Sequence, residues 1–129
     1  MKRLFPIVLL SLGFGLAQGA YKLRVTSWSC TYTGGAWVAQ GVVENTAGRT
    51  LQGIRVHLRV VEGGLDRLGG VSPQQVYGTN SAPIARGSLP PGESSRFSVR
   101  VPTSRREAAC QIWFRNPSVV QIPTQVPRL

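Results

Sequence analysis

From Lys22 onward the chain shows alternation of apolar and polar side chains and no sustained 3.6-residue period. Leu23 and Val25 alternate with Lys22, Arg24 and Thr26; Trp28, Cys30 and Tyr32 then alternate with Ser27, Ser29 and Thr31. The apolar parity flips between Val25 and Trp28, which predicts a β-bulge or strand break near Thr26-Ser27. After the turn Thr33-Gly34-Gly35, Ala36 to Glu44 reads as a second strand. Asn45-Thr46-Ala47-Gly48-Arg49 is expected to shape a hairpin, since Asn and Gly adopt positive φ readily. Thr50 to Glu62 is the clearest strand: Ile54, Val56, Leu58 and Val60 point one way, and Arg55, His57, Arg59 and Val61 the other.

Gly63-Gly64 opens a long connection through Asp66, Gly69-Gly70 and Pro73, followed by a weaker strand between Gln74 and Ala85. Leu89-Pro90-Pro91-Gly92-Glu93 is a rigid turn. Arg96 to Val101 alternates again, and Ala108 to Phe114 sets Cys110, Ile112 and Phe114 on one face with Trp113 on the other. Six or seven short strands at this spacing predict an all-β, antiparallel β-sandwich.

The start of the chain has a different character. Met1-Lys2-Arg3 is basic, Leu4 to Leu16 carries no charge, and Ala17-Gln18-Gly19 places small residues around a cleavage point. This is the layout of a secretory signal peptide over residues 1–19. The apolar run is shorter than the roughly 20 residues a membrane-spanning helix needs. The expected mature chain begins at Ala20, with a sandwich domain over 20–115 and an extended, Pro-rich tail over 116–129. Val119, Val120, Ile122 and Val126 in that tail either pack along the sandwich edge or form a segment offered to a partner. Loss of Lys2 and Arg3 lowers the formal charge from +10 to +8. An exported domain with two cysteines is expected to join Cys30 to Cys110, the alternative being two buried free thiols.

Between Trp37 and Val101 the chain carries Gly41-Val42-Val43-Glu44-Asn45, a small turn, Thr50-Leu51 and an alternating strand. Leu89-Pro90-Pro91-Gly92-Glu93 then precedes Phe97-Ser98-Val99. This succession resembles the FxLYD-type and related immunoglobulin-like domains of exported bacterial proteins. Val60-Val61-Glu62-Gly63 stands where such domains usually end their second strand with two aromatics and an Asp-like residue. The resemblance implies an immunoglobulin-like sandwich serving as an adhesion, scaffolding or accessory module. It brings no catalytic residues.

The titratable inventory argues against an enzyme. The mature acids are Glu44, Glu62, Asp66, Glu93 and Glu107, and the single imidazole, His57, stands between Arg55 and Arg59 with no neighbouring acid. Spacings for a metal site are absent, and no cofactor is implied. The leading expectation is an exported, non-enzymatic module, periplasmic, surface-bound or secreted. It would contact an envelope or extracellular protein and have no membrane span in its mature chain. The alternative is a module binding nucleic acid or an acidic envelope polymer. If the strands carrying them share a sheet, Arg55, Arg59, Arg96 and Arg100 form one basic face, with Trp113 as the candidate exposed aromatic.

Overall fold

In the computed structural model, residues 21–63, 75–116 and 120–129 are described. The signal-peptide expectation, and the connection through Asp66 to Pro73, lie outside the described residues. Six long strands form the body: β1 (Leu23–Thr33), β2 (Ala36–Asn45), β4 (Arg55–Val61), β5 (Val76–Pro83), β7 (Ser94–Pro102) and β8 (Ala109–Arg115). Four two-residue strands complete it: β3 (Leu51–Gln52), β6 (Ser88–Leu89), β9 (Gln121–Ile122) and β10 (Thr124–Gln125). They make two four-stranded sheets, in the orders β10-β1-β2-β7 and β5-β4-β8-β9, and the small pair β3-β6. The described residues contain no helix, and the arrangement is the expected immunoglobulin-like β-sandwich.

Alternation puts one face of each sheet into a shared core. Leu23, Val25, Ala39, Val43, Phe97, Val99 and Val101 come from one sheet; Val56, Leu58, Val60 and Phe114 come from the other. Phe97 and Phe114 meet edge to face across the sandwich, with ring centroids 5.4 Å apart. Burying each such side chain contributes roughly 1.5–3 kcal/mol. Cys30 on β1 and Cys110 on β8 form the expected disulfide, stitching one sheet to the other over a sequence separation of 80.

The β1–β2 register shifts between Val25 and Ser27, where the parity flip placed it. The bulge brings the β1 backbone so close to Gly41 that a Cβ there would lie 2.7 Å from the Trp28 Cβ and would collide with the Ser27 carbonyl oxygen. Only glycine fits opposite this bulge.

Other expectations need correction. Thr50 to Glu62 is not one strand. Gly53 takes φ 65° and donates its N–H to the Gly87 carbonyl, dividing β3 from β4. Asn45 to Arg49 forms no hairpin either, because β2 pairs with β1 and β7 while β4 lies in the opposite sheet. The segment crosses between sheets. Its Asn45 is buried and fully used: Nδ2 donates to the Leu89 and Arg49 carbonyls at 2.8 and 2.9 Å, and Oδ1 accepts from the Ala47 N–H at 2.7 Å. Val61, expected to face outward with His57, is buried because the β4–β5 register shifts between Val60 and Val61. The tail joins both sheets. β9 pairs antiparallel with β8, and β10 pairs parallel with β1.

Candidate binding face

The outer surface of the β5-β4-β8-β9 sheet is built in rows fixed by strand register. One row is Pro83, Arg55, Arg115; the next is Ser81, His57, Trp113; the third is Thr79, Arg59, Gln111. Because Val56, Leu58 and Val60 are drawn into the core, period-two geometry turns Arg55, His57 and Arg59 to the outside. The same parity on β8 turns Trp113 and Arg115 outward against the buried Phe114.

Trp113 and His57 stand side by side as directly paired neighbours, with ring centroids 5.4 Å apart and planes 16° apart. The Arg59 guanidinium lies 5.7 Å from the Trp113 ring centroid. Arg55 donates to the Ser81 hydroxyl at 3.1 Å, and Arg59 Nε donates to the Gln111 side-chain carbonyl at 2.9 Å. Both guanidiniums are therefore steadied by neutral partners that leave the positive charge uncancelled. No carboxylate occupies any of these paired positions. The ion pairs seen among the described residues, Arg24–Glu44 and Arg86–Glu93, lie elsewhere. Burial first, then the guanidiniums of Arg115 and Arg55, hold His57 below its ordinary value and so disfavour the protonated imidazole.

The structure divides the expected four-arginine face. Arg55 and Arg59 are exposed on β4, whereas Arg96 and Arg100 are exposed on β7 in the opposite sheet. The two pairs thus look away from each other across the core. Arg115, which the same alternation adds beside Trp113, completes the β4–β8 face in their place. Arg105 and Arg106 are engaged elsewhere, over the rings of Tyr77 and Tyr32 at 4.8 and 5.8 Å. Trp28 and Trp37 are half-buried against the core, their indole N–H groups donating to the carbonyls of Pro127 and Arg105. Among the described residues, no three His, Cys, Asp or Glu side chains cluster as a metal site would require, and no helix is long and apolar enough to cross a membrane.

No family model and no curated protein matches this chain. Solved structures do. A calcium-binding mutant of Bacteroides uniformis beta-glucuronidase 2 is similar with a TM-score of 0.51 and 14% identity, over 79% of this chain and 14% of that one. Bacteroides uniformis beta-glucuronidase is similar with a TM-score of 0.51 and 12% identity, over 79% and 13%. Beta-glucosidase 3B from Thermotoga neapolitana aligns at 0.44 and 18% identity, over 73% and 14%. The chain thus spans about one seventh of the length of the two glucuronidase chains. At these identities the likeness concerns the sandwich fold alone.

Proposed function

We propose that this domain is an exported, non-enzymatic contact module of the cell envelope or exterior, and that it holds an acidic polymer on the outer face of its β5-β4-β8-β9 sheet. One observation carries the reading. Arg55, Arg59 and Arg115 converge around the His57–Trp113 pair on a sheet surface whose paired positions hold no carboxylate. The Arg55 and Arg59 guanidiniums, held by neutral partners, keep their attraction for phosphate, sulfate or carboxylate groups. A rigid sheet fixes the backbone that presents them, which lowers the ordering cost at the moment of contact. The resemblance to exported immunoglobulin-like domains and the inter-sheet disulfide agree with work outside the cytoplasm.

A salt titration of binding to heparin tests this. Three guanidiniums displacing counterions predict a log–log slope of about −2 to −3. Replacing Arg55 and Arg59 together by Glu leaves only Arg115 and should bring the slope to about −1 or shallower. A slope unchanged by that double substitution would remove the face from the account.

A second reading has its own support. The ladder between β1 and β10 ends at Arg24 and Gln125, so Ser27 to Thr33 pair with β2 on one side only. Beside that edge runs a groove of about 510 Å³, lined in part by Trp28, Cys30, Trp37, Ile112 and Val126. A protein partner adding a strand to β1 would use it. Hydrogen exchange would then slow in Ser27–Thr33 when the partner binds, and not in β4 or β8.

A further inference from the structure

The sheet face described above contains a titratable group at its centre. His57 shares its row with Ser81 from β5 and Trp113 from β8, and the charged groups in the adjoining rows are all cations: Arg55 and Arg59 from its own strand, Arg115 from β8. The neighbouring β9 contributes the neutral Gln121, which pairs with Arg115. We propose that anion binding across this face is coupled to protonation of His57, so that the domain grips acidic polymer more tightly as pH falls. The proposal rests on the reading of this face given under the proposed function.

The physics follows from position. In the free protein, partial burial and the guanidiniums of Arg115 and Arg55 oppose a third positive charge on the imidazole. An anionic group seated among those guanidiniums reverses the local potential. The imidazole then takes up a proton from solution and becomes a further cation facing the ligand. Linkage makes the effect reciprocal: whatever raises the proton affinity of His57 on binding raises ligand affinity on protonation by the same factor. A rise of about one pH unit in the His57 titration corresponds to a tenfold gain in affinity. The Trp113 ring stacks beside the imidazole, with centroids 5.4 Å apart, within the row between Arg55 and Arg59.

The chain has one histidine, so its imidazole proton resonances report this site without overlap from another. The experiment is an NMR pH titration of the disulfide-bonded protein, free and saturated with a heparin hexasaccharide, alongside calorimetry at pH 8 and pH 5. The expected result is a midpoint raised by about 0.5–1 unit in the complex and an affinity about three- to tenfold higher at pH 5. In the His57→Gln variant the affinity gain between those pH values should be lost. If the hexasaccharide binds and the His57 midpoint does not move, the coupling is wrong while the binding face stands. If the hexasaccharide binds at neither pH, the face itself is wrong and the coupling falls with it.

Discussion

Replacing Asn45 by Ala should be among the most damaging single polar substitutions in this domain. Asn45 is 1% exposed, and its amide ends three connections at once. It ties the turn after β2 to itself through Arg49 and Ala47, and to the Leu89 carbonyl 44 positions away. Its backbone joins the same junction, accepting from the Gly92 N–H at 2.8 Å and donating to the Glu93 carbonyl at 2.9 Å. Truncation leaves the buried Leu89 carbonyl without its donor, at a cost of about 1–3 kcal/mol. The two partly buried bonds add about 1 kcal/mol each, for a total of about 3–5 kcal/mol. A domain of this size would lose on the order of 12–20 °C in Tm. The assay is equilibrium urea unfolding with the disulfide intact, reading a lower midpoint at constant m. Asn45→Asp separates the contributions: its carboxylate still accepts from Ala47 but cannot donate to Leu89 or Arg49, so it should rescue little at pH 7. A loss under about 1 kcal/mol for Asn45→Ala, or full rescue by Asp, would mean that the Leu89 carbonyl does not depend on this amide.

Other outcomes follow from single features. Gly41→Ala should cost about 1–3 kcal/mol, since the β1 bulge must shift to admit a methyl group. Gly48→Ala, with nothing within 4 Å, should be nearly neutral in the same urea unfolding. Removing the Cys30–Cys110 bridge by double Ser substitution should cost roughly 2–5 kcal/mol in urea unfolding, because the bridge constrains the unfolded chain. His57 titrates lower folded than unfolded, so its contribution to stability is present above about pH 6.5 and is lost as pH falls through the folded value. Melting temperature should therefore decline between pH 7 and pH 5 more steeply in the native protein than in His57→Gln.

Local features were legible where they depend on local geometry. The bulge at Thr26-Ser27 shows in the sequence because inserting one residue reverses which side chains point inward, and Val25 and Trp28 record that reversal. The outward positions of Arg55, Arg59, Arg96, Arg100 and Trp113 follow from strand alternation in the same way. Which sheet a strand joins is a long-range property, and no pattern within β4 or β7 encodes it. The expected four-arginine face was divided for that reason. Arg115 stands two residues beyond Trp113, so period-two spacing alone would have placed it on the face. Asn45 reads as a turn former because its side chain suits local hydrogen bonds. Its bond to Leu89 depends on the crossing between sheets and leaves no local trace. Gly53 sits within an alternating run, and its positive φ has no signature other than the glycine itself.

The division of the arginines between two sheets allows a charge-matched comparison of the two faces. Arg55→Glu with Arg59→Glu, and Arg96→Glu with Arg100→Glu, change net charge equally on opposite sheets. Heparin affinity of the two double variants, measured at one salt concentration, is the decisive comparison. The β4 pair should lose binding at least about tenfold more than the β7 pair, because close guanidinium contacts outweigh screened long-range attraction. Equal losses would mean that the domain attracts polyanions by overall charge alone and that the β5-β4-β8-β9 face is no binding surface.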